Sequence, residues 1–334
     1  MSELITLDEI RAAQQRLAGV AVRTPLYRVE RARLRMMKFA ESEFDIYIKA
    51  ESEQPIGSFK LRGAYNMVAQ LSPEALRRGV CTYSSGNHAQ GVAYAARALG
   101  AKAVIVMPDN TPEIKKAATK ALGAEIVVVG PSSSERQAKA EELATQFGYA
   151  VIPPYDDKAI IAGQATCAME ILEQLPSVDL ILAPVSGGGL LAGSSAAVKL
   201  SAVGAKPGVQ VWGAEPELAA DAKESFEAKR LVTWPAEKTT RTMGDGLRTQ
   251  SLGALNFEHV MAYVDGIVAV SEDEIVSAMR VMLAATKLVP EPSGAVALAA
   301  ALYHAHDLPQ VRKVAVVLSG GNLEPALRET LQRP

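Results

Sequence analysis

The feature that most constrains this chain is an unbroken alternation of short apolar runs with helical patterns. Between residues 80 and 152 the order is Val80–Ser84, a helix over Ala89–Leu99, Ala103–Met107, a helix over Glu113–Leu122, Glu125–Val129, a helix over Glu135–Phe147, and Ala150–Ile152. The apolar runs are rich in β-branched residues and too short for helices, so they read as strands. Strand–helix–strand units in series close by right-handed crossovers onto a parallel sheet. The alternation resumes with a helix over Ile161–Leu175, strand Asp179–Val185, a helix over Leu191–Leu200 and strand Val209–Glu215. It closes with helices over Glu272–Ala285 and Gly294–Tyr303 and strand Lys313–Ser319. Thr6 with Glu9, and Ser271 with Glu274, have capping-box spacing, and Ser72-Pro73-Glu74 marks another helix start. The stretch Ala219–Leu255 is the least regular and is expected to wrap the surface; loops of that length often bear on function.

At 334 residues the chain exceeds one ordinary core, which favours two joined α/β domains. Hydrophobic residues at 49% and charged residues at 22% exclude disorder over most of the length. A net charge of -2 removes the long-range attraction that nucleic-acid binders use, so an anionic ligand must be held by local geometry. Cys81 and Cys167 lack C-x-x-C spacing and read as two buried thiols. The first residues carry charges of both signs with no long apolar stretch, so neither a secretory leader nor a membrane span is expected, and a cytoplasmic location is.

Three glycine-bearing turns follow expected strands, where parallel sheets bind ligands: Ser84-Ser85-Gly86-Asn87-His88, Ser186-Gly187-Gly188-Gly189-Leu190 and Ser319-Gly320-Gly321-Asn322. One such turn can serve chain reversal alone; three at equivalent strand ends favour a ligand. In the second, close-approaching amides at a helix start can cradle a phosphate. No lysine follows these glycines and the spacing is not G-x-G-x-x-G, so neither a Walker loop nor a dinucleotide fingerprint is present. Lys60, in Gly57-Ser58-Phe59-Lys60-Leu61-Arg62-Gly63-Ala64, taken alone is a helix-start lysine. Combined with a phosphate cradle and a serine–glycine turn, it suits an aldehyde ligand with a phosphate arm.

These segments, with Glu291-Pro292-Ser293-Gly294-Ala295, resemble the ordered motifs of fold-type II pyridoxal-phosphate enzymes in the threonine dehydratase and serine racemase branch. The resemblance implies two open, twisted, mostly parallel sheets flanked by helices, of the tryptophan-synthase-β type. It implies a large cofactor-binding domain over 1–74 and 153–334 and a small domain over 75–152. Lys60 would bind pyridoxal 5'-phosphate covalently and act as the catalytic base, with Phe59 beside the ring. Asn87 would meet the ring's 3' oxygen, the amides of Gly187, Gly188, Gly189 and Leu190 the phosphate, and Ser319 the ring nitrogen. Gly246 would lie against the ring, and Glu291 near it. Ser84, Ser85, Asn87 and His88 would take the substrate carboxylate. The implied activity is dehydration and deamination of a small hydroxy amino acid, L-threonine or L-serine, by a homodimer.

Within the branch, Ser85 resembles the second base of serine racemases and 3-hydroxyaspartate dehydratases, although a helix-capping serine reads the same. Glu215-Pro216-Glu217-Leu218-Ala219-Ala220-Asp221 resembles the racemases' divalent-cation loop, with Glu215, Asp221 and the Ala219 carbonyl as ligands for Mg²⁺, Mn²⁺ or Ca²⁺; an acidic loop without metal is the other reading. Pro153-Pro154-Tyr155-Asp156-Asp157 resembles the catabolic dehydratases instead. The chain ends soon after its last strand and helix, so no regulatory domain is expected.

Overall fold

The structure, a computed structural model, describes residues 4–37, 39, 44–84, 86–109, 111, 113–130, 133–201 and 208–332. Helix α1 (Leu7–Leu17) leads into strand β1 (Leu26–Arg28), α2 (Arg31–Met36), β2 (Asp45–Ala50), α3 (Lys60–Val68) and α4 (Pro73–Arg78). The alternating region follows: β3 (Val80–Tyr83), α5 (Asn87–Ala98), β4 (Ala103–Pro108), α6 (Glu113–Ala121), β5 (Glu125–Val129), α7 (Ser133–Phe147) and β6 (Ala150–Val151). Then come α8 (Lys158–Gln174), β7 (Leu180–Pro184), α9 (Gly189–Leu200), β8 (Gln210–Pro216), α10 (Asp221–Ala228), α11 (Ala236–Thr239), α12 (Ala254–Tyr263) and β9 (Gly266–Val270). The last elements are α13 (Glu272–Thr286), α14 (Pro292–Tyr303), β10 (Lys313–Leu318) and α15 (Pro325–Gln332).

These strands form two sheets, of order β1-β2-β10-β7-β8-β9 and β5-β4-β3-β6. Every pairing is parallel except that of β1 with β2, so the expected α/β architecture of two mostly parallel sheets is present. Helices cover both faces of the larger sheet, which is why its strands read as continuous apolar runs. Leu180, Leu182, Val314 and Val316 point to the face packed by α13 and α14, while Ile181, Ala183, Ala315 and Val317 point to the face packed by α8 and α9. That division follows from the two-residue period of a strand.

Helix α3 packs on α8 with almost no side chain between them. A Cβ on Gly163 would meet the Gly63 Cα and the Arg62 carbonyl, and one on Gly63 would meet Gln164 and the Ile160 carbonyl. This contact seats the N-terminal end of α3, where Lys60 lies, against the core. The capping boxes at Thr6 and Ser271 are both formed. The region 219–255 departs from the expected loop, because α10 and α11 lie within it. Among the described residues no helix is long and apolar enough to cross a membrane.

Candidate active site

Residues 57–59 are tied to the carboxyl end of β10. Ser58 bridges Gly320, the Phe59 amide donates to the Ser319 carbonyl (3.0 Å), and the Gly321 amide donates to the Gly57 carbonyl (2.9 Å). Gly57 is required there: its φ of 73° is left-handed, and a Cβ would strike the Asn322 side-chain amide. This join places Lys60 at the start of α3 with its Nζ 2.7 Å from the Pro154 carbonyl and 5.3 Å from the Phe59 ring centroid. Burial pushes the Lys60 amine down to about 8, since a carbonyl partner cannot repay the desolvation of a full charge.

Asn87, the first residue of α5, joins this group from the other sheet. Its Nδ2 donates to Glu291 Oε1 (2.7 Å), and its Oδ1 accepts from Asn322 Nδ2 (2.6 Å). Glu291 is buried at the start of α14 and is pushed up to about 7 by burial and by Asp245, against the opposing hydrogen bond from Asn87. A Cβ on Gly320 would collide with the Glu291 carboxylate, so glycine there allows the acid to stand at the strand end. The Gly246 amide donates to Ser293 Oγ (3.0 Å), which brings its turn to the same helix start.

The Ser186–Leu190 turn opens α9. Gly188 has a left-handed φ of 100°, and no side chain caps the helix start. A Cβ on Gly187 would strike the Tyr155 ring. The Gly187 carbonyl accepts from Asn256 Nδ2 (2.7 Å) and from the Gly253 amide (3.0 Å). The first amides of α9 are thus left without a side-chain partner, an arrangement able to receive an anion. Tyr155, against this turn, directly follows Pro154, whose carbonyl meets Lys60.

A sequence profile of the family described as pyridoxal-phosphate dependent enzymes matches residues 17–320. The chain belongs to that family. It is 40% identical over 286 residues to L-threo-3-hydroxyaspartate ammonia-lyase of Saccharomyces cerevisiae, covering 86% of this chain and 85% of that protein. It is 38% identical to the catabolic L-threonine dehydratase of Escherichia coli, covering 96% of this chain and 94% of that protein. The solved structure of maize serine racemase superposes with a TM-score of 0.90 at 35% identity, covering 98% of this chain and 97% of that one.

The residues present suit the coenzyme of this pyridoxal-phosphate family. A depressed lysine amine can meet its aldehyde, the uncapped start of α9 can take its phosphate, and Asn87, Glu291 and the Ser319 strand end lie together around Lys60 and Phe59. Ser84 Oγ accepts from the Gly86 amide (3.3 Å), while His88 is buried with Nε2 3.0 Å from the Ile152 carbonyl. Ser85 lies outside the described residues.

Glu215 and Asp221 are both buried. The Glu215 carboxylate accepts from the Lys223 amide (2.6 Å) and the Ala222 amide (3.3 Å), capping α10, and Asp221 Oδ2 has no hydrogen-bond partner. Burial, and after it the charge of Asp221, raise Glu215 well above the usual carboxylate range, and burial pushes Asp221 up to about 7. Among the described residues no group of three or more His, Cys, Asp or Glu could hold a metal, so a cation here would depend on two carboxylates and the buried Ala219 carbonyl.

Two groups that build the site carry no role in the sequence motifs. Asn322 lay inside a recognised segment without a role. The Pro154 carbonyl carries no sequence signal, because any residue has one and only the fold aims it.

Proposed function

We propose that this pyridoxal-phosphate enzyme catalyses β-elimination of L-threonine or L-serine, yielding 2-oxobutanoate or pyruvate together with ammonia. The observation that carries this reading is the meeting of the buried, weakly basic Lys60 amine with the uncapped glycine turn of α9. When bound, pyridoxal phosphate supplies an electron sink for the substrate α-carbon. Lys60 Nζ takes the α-proton, a role that suits an amine titrating near neutrality. The amides of Gly187, Gly188, Gly189 and Leu190 hold the phosphate, and Asn87, Gly246, Glu291 and Ser319 border the ring. Main-chain N–H groups of Ser84, Ser85, Asn87 and His88 receive the substrate carboxylate.

The reading places the site between a larger part, residues 1–74 and 153–334, and a smaller part, residues 75–152, in a cytoplasmic homodimer. It includes a divalent cation held by Glu215, Asp221 and the Ala219 carbonyl; the unpartnered Asp221 oxygen and the raised carboxylates of this pair support it.

The 40% identity to a 3-hydroxyaspartate ammonia-lyase favours a second substrate reading, and the similarity to serine racemases a third, racemisation through Ser85. Keto acid, ammonia and enantiomer ratio measured from L-threonine, L-serine and both 3-hydroxyaspartates separate the three. Faster turnover of hydroxyaspartate than of threonine transfers the assignment. Lys60→Ala is expected to lower kcat/KM by at least about 10³-fold on every substrate. Retained turnover in that variant removes Lys60 from the chemistry.

A further inference from the structure

Between β6 and α8 the six residues 152–157 run from β3 past Lys60 to the Gly187 turn. The Ile152 carbonyl accepts from Thr82 Oγ1 (2.7 Å) and stands 3.0 Å from His88 Nε2. Pro154 then offers its carbonyl to Lys60 Nζ, and Tyr155 packs on Gly187. Asp156 Oδ1 accepts the Asn256 amide (3.1 Å). We propose that Thr82 and His88 are positioning residues for Lys60, acting through a stiff Ile152-Pro153-Pro154 bracket whose last carbonyl aims the lysine amine.

Three observations carry the proposal. The two donors converge on one buried carbonyl, and the Ile152 amide is itself bonded to the Cys81 carbonyl (2.8 Å), so both sides of Ile152 are fixed to β3. Two successive prolines, each with φ held by its ring, then transmit that position to the Pro154 carbonyl with little freedom. Finally, the acceptor is neutral. A carboxylate in its place would hold Lys60 as an ammonium, whereas a carbonyl takes one N–H and leaves the amine lone pair for reaction.

His88 is suited to this work and not to proton transfer. A carbonyl only accepts, so Nε2 carries the hydrogen, and Nδ1 is buried without a partner. A second proton would create an unpaired buried charge. Burial, and after it the charge of Lys60, push the ring down to about 3, so it remains a neutral donor throughout the working range.

The inference rests on Lys60 being the coenzyme-bearing lysine, and its test separates the two claims. Cofactor-free protein is mixed with pyridoxal phosphate, trapped with borohydride at a series of pH values, and the modified lysine is located by mass spectrometry. Wild type without a label on Lys60 overturns the proposed function and this inference with it. Given labelled wild type, Thr82→Val with His88→Phe is expected to slow capture about tenfold and to move its pH profile, because the amine is no longer aimed. Thr82→Ser with His88→Gln keeps both donors and is expected to restore rate and profile. Should the doubly depleted variant not fold, Thr82→Val alone is read, with a several-fold slowing expected. Capture within twofold of wild type, with an unmoved pH profile, in a folded depleted variant overturns the positioning role.

Discussion

Lys60 and Arg62 stand two residues apart at the start of one helix, and the fold treats their charges in opposite ways. Arg62 is 1% exposed, yet it forks onto Glu51 at 2.7 and 2.8 Å and onto Glu170 at 2.7 and 2.9 Å. Lys49 adds a second cation on Glu170 at 2.6 Å, and Thr24 donates to Glu51 at 2.7 Å. Two cations face two carboxylates, so burial, which alone would raise Glu51, is overcome by Arg62 and the acid stays below its usual range. Lys60 meets a backbone carbonyl and is pushed down to about 8; near it Glu291 rises to about 7 and His88 falls to about 3. Compensated charges lock helix α3 onto α8 and the N-terminal segment. Uncompensated ones shift toward neutrality, the condition in which an amine can attack and an acid can carry a proton.

The largest test of this contrast removes one member of the balanced lattice. Arg62→Met leaves the buried Glu51 and the half-buried Glu170 facing one cation and is expected to cost about 3–5 kcal/mol, read as a fall in the urea midpoint. Adding Glu51→Gln restores the balance and should recover much of that loss. A double variant no more stable than the single one breaks the argument that charge matching holds this region.

Next in size is the Glu215–Asp221 pair, buried like the lattice but raised by burial despite the nearby Lys223. Magnesium at a hundred times its dissociation constant is expected to add about 3 kcal/mol to stability, and a chelator to remove it. Glu215→Gln with Asp221→Asn should abolish the response. A magnesium effect of equal size in that variant places the cation elsewhere.

The smallest effect sharpens the contrast by its pH sign. Glu291 titrates near 7 in the fold, against about 4.3 in an unfolded chain. Between these values the folded state binds more protons, so stability falls as pH rises through the interval. Cofactor-free wild type should therefore lose stability relative to Glu291→Gln from pH 4.5 to 7, by about 1 kcal/mol per unit. Glu51, held below its usual range, has the reverse sign and keeps its contribution until pH drops beneath the unfolded value. Parallel curves for wild type and Glu291→Gln would show that Glu291 is ionised in the fold.

Much of the architecture was legible because it depends on local pattern. Strand Glu125–Val129 has the expected bounds, and the capping boxes at Thr6 and Ser271 mark their helices. Helices α5, α9 and α14 begin two residues before expectation, at Asn87, Gly189 and Pro292; no side chain caps these starts, although Pro292 at the first position of α14 is a start signal that the expected bounds leave out. Strand β1 is three residues long, too short for periodicity to register. Helix α10 was missed for a different reason: its cap is the Glu215 carboxylate, six residues upstream of Asp221 and on the preceding strand.

Sequence alone determined the central strand–helix alternation and the motifs that carry Lys60, the glycine turns and Asn87, since periodicity and turn chemistry act over a few residues. Tertiary structure decided which buried groups keep their charge. Lys60 meets its acceptor across 94 residues, and Arg62 reaches Glu170 across 108. Desolvation and charge pairing act through space, so two cations two residues apart in the chain could become a weakened base and a permanent ion only once the fold had placed a carbonyl beside one and carboxylates beside the other.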